Sequence, residues 1–168
     1  MILKGKTYRA GDNVNTDVIM PGRWCHLTDE AELAKHCMED YDAEFLKKIK
    51  TGDIIVADEN FGCGSSREVA PLSIKSVGIG AVVAKSFARI FYRNSINIGL
   101  PIFESPDCVD ATKAGDELEI DVFGGKIKNV TRKKEFKFVP FPPFMQTIIE
   151  KGGLKGWVKE RLKSQYKG

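Results

Sequence analysis

The chain has no apolar run near the roughly 20 residues that a membrane helix needs, so no spanning segment is expected. Its opening, Met1-Ile2-Leu3-Lys4-Gly5-Lys6, lacks a secretory apolar stretch and points to a cytoplasmic protein. Histidine is scarce. His26 and His36 are the only two; neither sits in the glycine- or serine-rich loop of a phosphocarrier, and no local motif joins either to a nucleophile. Cysteine is sparse too: Cys25, Cys37, Cys63 and Cys108 form no C-x-x-C pair and follow neither iron–sulfur nor structural-zinc spacing. Free thiols are expected, with no metal bound by this chain alone. Neither sign of charge dominates, since the net charge is +3. That does not demand nucleic acid as a partner, but it suits a small anionic ligand. Internal repeats and low-complexity linkers are also missing.

What is present is ordinary in composition. The 168 residues are 42% apolar and 29% charged, enough for one domain over residues 1–168 that buries its core without disulfides or metal. The excess positive charge gathers between Lys151 and Lys167, where Lys155, Lys159, Arg161 and Lys163 alternate with Leu154, Trp157, Val158 and Leu162. That pattern reads as the solvated face of a terminal amphipathic helix rather than an RNA patch.

Residues 2–9 alternate loosely and predict a first strand. A turn-rich stretch, Gly11 to Asp17, leads to a loop at Pro21-Gly22. Thr28 or Asp29 caps a helix expected over Glu30–Met38, and a short helix is expected over Ala43–Ile49. Strand 53–57, a glycine turn, a helix to about Ser76, strand 81–84, a helix over Phe87–Ile98 capped by Gly99, and a strand near Ile102-Phe103 follow. This β-α-β-α-β succession predicts an α/β core with some parallel pairing. Leu118, Ile120 and Val122 alternate with charges before a Gly124-Gly125 hairpin turn, residues 127–130 continue the pattern, and Phe136–Val139 reads as one more strand. Helices over Pro142–Lys151 and Leu154–Lys163 close the chain.

The chemistry concentrates in Gly62-Cys63-Gly64-Ser65-Ser66-Arg67-Glu68, between a strand and a helix. Two glycines permit a tight turn, and unpaired helix-start amides with two hydroxyls and a guanidinium suit a carboxylate or phosphate. A dinucleotide fingerprint would need a third glycine where Arg67 stands, no lysine follows as in a P-loop, and neither serine has the flanking glycines of a hydrolase elbow. On the residues alone, a second reading stays open: Ser65 and Ser66 cap the helix while Arg67 pairs with a nearby acid.

Three ordered blocks carry a resemblance. Asn60-Phe61-Gly62-Cys63-Gly64-Ser65-Ser66-Arg67-Glu68 resembles the swivelling-domain motif of the aconitase superfamily. Lys85-Ser86-Phe87-Ala88-Arg89-Ile90-Phe91-Tyr92-Arg93-Asn94 resembles its next hallmark, and Asn15-Thr16-Asp17 with Pro21-Gly22-Arg23 resembles its N-terminal substrate loop. They span roughly residues 12–104, and the overall length is similar to that of the family's separate small subunits. The resemblance implies a swivelling β/β/α domain with a mixed sheet and flanking helices, in which residues 15–29 form the substrate loop, 62–67 the serine turn and about 142–165 the C-terminal helices. It implies that Ser65, as alkoxide, removes a carbon-bound proton. Ser66 and Arg67 hold a substrate carboxylate, and Asp17 and Arg23 stand at the rim. Lys85, Arg89, Arg93 and Asn94 are assigned to structure or interface.

The same resemblance implies a [4Fe-4S] cluster held by a large partner subunit, in a heterodimer or heterotetramer, with none held by this chain. The pair would be a hydro-lyase isomerising 2-isopropylmalate and 3-isopropylmalate in leucine biosynthesis, inactive without its partner. Trp24-Cys25-His26-Leu27 stands where the family's loop covers the variable part of the substrate. The apolar and arginine-bearing versions of that loop both differ from it, so another alkyl-malate or homoaconitate is the alternative. A stand-alone anion- or RNA-binding module is the alternative of another class, and it would bind without a partner in a salt-sensitive way.

Overall fold

Ile54–Ala57 and Ala81–Ala84 are buried at every residue, which requires cover on both faces of the sheet they share. In the computed structural model, which describes residues 1–165, seven strands provide that sheet. They are β1 (Ile2–Arg9), β2 (Ile54–Ala57), β3 (Ala81–Ala84), β4 (Ile102–Glu104), β5 (Glu117–Asp121), β6 (Lys126–Asn129) and β7 (Lys134–Lys137). Their order is β4-β3-β2-β1-β5-β6-β7. The half from β4 to β1 is parallel, with Ile55 opposite both Tyr8 and Val82. The half from β1 to β7 is antiparallel, with Leu3 opposite Ile120 and Ile127 opposite Phe136. The fold is therefore α/β with a mixed sheet and flanking helices.

The helices are α1 (Thr16–Ile19), α2 (Glu30–Lys35), α3 (Phe45–Lys48), α4 (Val69–Ser76), α5 (Arg89–Ile98), α6 (Pro106–Ala111), α7 (Pro143–Glu150) and α8 (Leu154–Gln165). A 3-10 turn covers Gly22–Trp24, where the sequence predicts only a loop. None of the described helices is long and apolar enough to cross a membrane. Lys167, the last of the basic tail residues, lies outside the described residues.

Several boundaries differ from expectation for tertiary reasons. α2 stops at Lys35 rather than Met38, because Met38 is left-handed (φ 61°), fully buried, and donates its amide to the Ile19 carbonyl at 2.8 Å. α5 starts at Arg89, since Phe87 is held in an extended bridge to Phe61. α3 is shorter than residues 43–49 by its ends. β7 lies two residues earlier than Phe136–Val139: the Phe138 amide still donates to the Gly125 carbonyl at 3.0 Å while its ring packs 4.6 Å from Phe103, and Pro140 offers no amide to carry the pairing on. α6 is an unanticipated helix, entered through Ser105 with Pro106 in its first turn.

An aromatic cluster fixes α5 beneath the serine turn. Phe61 meets Phe91 edge-on at 5.3 Å, and Phe87 stacks on Phe91 at 6.3 Å. Phe61, Phe87 and Phe91 are all buried, so this end of α5 is rigidly seated.

Candidate functional site

Two loops that follow neighbouring parallel strands, β1 and β2, are zipped together at the same end of the sheet. The Asn13 amide donates to Glu59 at 2.8 Å, the Gly62 amide to Val14 at 2.8 Å, and the Thr16 amide to Cys63 at 2.8 Å. Thr16 then donates its hydroxyl to the Ser65 carbonyl at 2.9 Å. The glycines are forced by the crowding. Gly62 has φ 79° with the buried Phe91 ring against it, and Gly64 has φ 94° with Asn15 Oδ1 2.6 Å from where a Cβ would lie. Asn15 also caps α1, its side chain accepting the Asp17 amide at 2.7 Å, worth about 1 kcal/mol.

This zipper brings Asp17 to the serine turn. Asp17 Oδ1 lies 3.5 Å from Ser65 Oγ and pairs with Arg67 Nη2 at 2.5 Å. Arg67 is fixed on its other edge, donating from Nη1 to the Met20 carbonyl at 3.0 Å, and it lies against Gly22. Gly64, Ser65 and Ser66 are exposed, and the Arg67 side chain retains 25% exposure. Ser65 thus faces solvent beside a carboxylate that is itself neutralised by a guanidinium. The amides of Ser65 and Ser66 donate to no acceptor among the described residues, which leaves two donors for an anion.

The expected helix-start position of the serines needs correction. α4 begins at Val69 with Glu68 as its N-terminal flank, and no side chain caps it. Ser65 and Ser66 lie in the turn before it, so the capping reading of these serines fails, while its pairing of Arg67 with an acid holds.

Arg23 is not brought to this cluster as a free guanidinium. It donates from Nη1 and Nη2 to Asp40 at 2.8 and 2.6 Å and from Nη2 to Glu39 at 2.5 Å. The bonds from Asp40 raise its pKa further above the ordinary arginine value, and Arg23 in turn holds the Asp40 carboxyl below the usual range. Trp24 stacks on His36 at 3.7 Å and 12° and donates Nε1–H to Glu39 at 2.6 Å, while His36 Nδ1 lies 2.8 Å from Glu39. Burial pushes the Glu39 carboxyl up, but these bonds from His36, Trp24 and Arg23 outweigh it and hold the group low. The Cys25 thiol lies 3.7 Å from the Pro21 carbonyl, and Leu27 packs on the core. Of Trp24, Cys25, His26 and Leu27, His26 alone is exposed.

Sequence reasoning missed the roles of His36, Glu39 and Asp40, and it placed Asn15 in the substrate loop without its role as a cap. Asn15 carries the signal of an Asx cap before Thr-Asp. Glu39 and Asp40 reach Trp24 and Arg23 across 15–17 residues of chain, and His36 stacks on Trp24, with no motif behind any of them. Lys85 pairs with Asp110 at 2.5 Å and Asp58 at 3.5 Å, and Asn94 is buried, so both are structural. Arg89 and Arg93 are exposed and pair with no acid among the described residues.

The chain's own thiols do not fit an iron–sulfur cluster. Cys37 and Cys108 are buried among core residues, where burial pushes their thiols up to about 12 and about 11, away from the thiolate a metal needs. No group of three or more His, Cys, Asp or Glu positioned to hold a metal exists among the described residues.

Residues 4–106 match the family described as the aconitase C-terminal domain. The chain is 60% identical over 163 residues to the 3-isopropylmalate dehydratase small subunit of Caldicellulosiruptor saccharolyticus, covering 97% of this chain and 94% of that one. It is 58% identical over 158 residues to the 2,3-dimethylmalate dehydratase small subunit of Eubacterium barkeri, covering 94% and 97%. A crystal structure of 3-isopropylmalate dehydratase from Methanocaldococcus jannaschii superposes with a TM-score of 0.93 at 48% identity, covering 100% of both chains.

Proposed function

The chain belongs to the aconitase C-terminal domain family, and from that premise we propose that it is the small subunit of a two-chain hydro-lyase that interconverts 2-isopropylmalate and 3-isopropylmalate in leucine biosynthesis. The observation that carries the reading is the exposed Ser65 hydroxyl beside the Asp17–Arg67 pair.

In this reading Ser65 Oγ, as alkoxide, takes the proton from the carbon next to a substrate carboxylate, and the electron pair left behind forms the new C=C bond as hydroxide departs. Rehydration runs the same steps in reverse with the hydroxyl on the neighbouring carbon. A serine oxygen is a base only where its anion is favoured. Arg67 supplies a fixed positive charge and the open amides of Ser65 and Ser66 supply dipoles. Asp17 opposes an alkoxide through like charge, and its bond to Arg67 cancels most of that repulsion. Arg67 and the Ser66 hydroxyl hold the carboxylate next to the reacting carbon, with Asp17 setting the rim. Arg23, locked by Glu39 and Asp40, shapes the loop rather than offering a free guanidinium.

Departure of hydroxide needs a Lewis acid that these residues do not provide. That role falls to a [4Fe-4S] cluster on a larger subunit, so the domain of residues 1–168 is half of an active site and swivels against the other half. The site belongs to the cytoplasm, with no nucleic acid or membrane involved.

A second substrate is favoured by a specific likeness: 2,3-dimethylmalate, acted on by the relative from Eubacterium barkeri, is also a branched hydroxy diacid. The loop beside the site has Trp24 clamped and His26 free, and apolar pocket changes discriminate by only about 1–3 kcal/mol per methylene. Assay of the chain alone and with a cluster-bearing large subunit, on 2-isopropylmalate, 2,3-dimethylmalate and homoaconitate, tests the proposal. The expected result is no turnover alone and preferred turnover of 2-isopropylmalate by the pair. Turnover by the isolated chain, or none by the loaded pair on any of the three, refutes it.

A further inference from the structure

Seven arginines occur in the chain, and five are committed. Arg9 pairs with Asp58, Arg23 with Glu39 and Asp40, Arg67 with Asp17 and Arg132 with Asp116, while Arg161 lies over the Trp157 ring. Arg89 and Arg93 have no such partner among the described residues. They stand one turn apart on α5, and Ile90, beside Arg89 in the chain, is 43% exposed. Phe91, Asn94, Ser95 and Ile96 of α5 are buried, so the exposed residues are presented on a rigid support.

Arg89, Ile90 and Arg93 line an open cleft of about 670 Å³ together with Gly62, Gly64 and Ala88. Ser65, Ser66 and Arg67 are not part of its lining. The cleft reaches the turn through Gly62 and Gly64 without including the Ser65 hydroxyl or Arg67 in its walls, so its two guanidiniums stand beside the reactive residues rather than among them. Two unpaired guanidiniums around an exposed isoleucine also match the make-up of a protein interface, where arginine is enriched and fixes orientation against carboxylates.

We propose that Arg89, Ile90 and Arg93 form the docking face for an acidic edge of the large subunit, seating it against the back of the turn that carries Ser65. This inference rests on the two-chain reading of the function. It explains why, among the described residues, Arg89 and Arg93 lack the acid partners that Arg9, Arg23, Arg67 and Arg132 have: their acids lie on the partner.

The test uses the full chain, the double variant R89E/R93E and the conservative R89K/R93K, each titrated with the cluster-bearing large subunit by calorimetry at low and high salt. Helical content by circular dichroism checks that the exposed substitutions leave the fold intact. R89E/R93E is expected to weaken association at least about tenfold and flatten its salt dependence, with turnover returning at excess large subunit. R89K/R93K is expected to retain most of the affinity. Unchanged affinity of R89E/R93E overturns the proposal, as does unchanged affinity with a raised KM, which would make the pair a substrate site. Failure of the unsubstituted chain to associate overturns the two-chain reading itself, and this face with it.

Discussion

Replacing Gly62 by alanine tests the packing that holds the serine turn on α5. The residue has φ 79°, a left-handed conformation that costs a residue bearing Cβ about 1–2 kcal/mol. The added methyl would also overlap the Phe91 ring, lying 2.5 Å from both Phe91 Cβ and Cδ2. Phe91 is 2% exposed and is boxed in by Phe61 and Phe87, so the ring has no free space to turn into. Overpacking of this kind costs about 1–3 kcal/mol. Gly62→Ala is therefore expected to lose about 2–5 kcal/mol, a large share of a total on the usual scale of about 5–15 kcal/mol. Urea unfolding followed by circular dichroism reads the change as a lower midpoint at constant slope. Gly64→Ala is the control, because Gly64 is exposed and its methyl meets Asn15, the cap of α1, instead of the core. It is expected to cost about 1–2 kcal/mol for its backbone alone while reducing turnover by displacing Asp17. A loss under about 1 kcal/mol for Gly62→Ala would refute this account of the turn.

Two further outcomes follow from the ion pairs. Asp116 is buried and accepts from Arg132 Nε at 2.6 Å, Asn129 Nδ2 at 3.1 Å and the Lys113 amide at 2.9 Å. Burial pushes this carboxyl up, but those bonds win and bring it from 3.8 down to about 2. The contribution is thus complete above the ordinary carboxylate range and is lost as pH falls through about 2. Asp116→Asn should cost about 1.5–3 kcal/mol at neutral pH, with the gap from the unsubstituted chain closing in acid; a gap independent of pH would contradict it. Glu39→Gln removes the negative charge and one of the two acceptor oxygens shared by Arg23, Trp24 and His36. Steady-state kinetics of the reconstituted pair should show KM raised severalfold with kcat nearly unchanged, whereas an equal fall in kcat would give Glu39 a part in the chemistry.

The parallel half of the sheet was legible because its strands are unbroken apolar runs, Ile54–Ala57 and Ala81–Ala84, separated by segments long enough for helices. The antiparallel half showed in alternation: β6 buries Ile127 and Asn129 and exposes Lys126 and Lys128. Where expectation failed, a distant partner decided. The end of α2 depends on Met38 bonding Ile19, and the path of the chain after β7 on Phe138 packing against Phe103. The site divided in the same way. Ser65, Ser66 and Arg67 show in residue type and spacing, Asp17 only through the family resemblance, and the structure brings Asp17 to Ser65 and Arg67. The engagement of Arg23 by Glu39 and Asp40, and the isolation of Arg89 and Arg93, are pairings between separate elements that no local pattern encodes.

The central claim is that Ser65 is the base, and the most direct measurement is turnover of the reconstituted pair carrying Ser65→Ala. Loss of one oxygen from an exposed turn should leave the fold and the association with the large subunit unchanged. The account predicts that kcat on 2-isopropylmalate falls by about 100- to 10,000-fold, the usual worth of a positioned base. Turnover within about twofold of the unsubstituted pair, at equal occupancy of the large subunit, would contradict it.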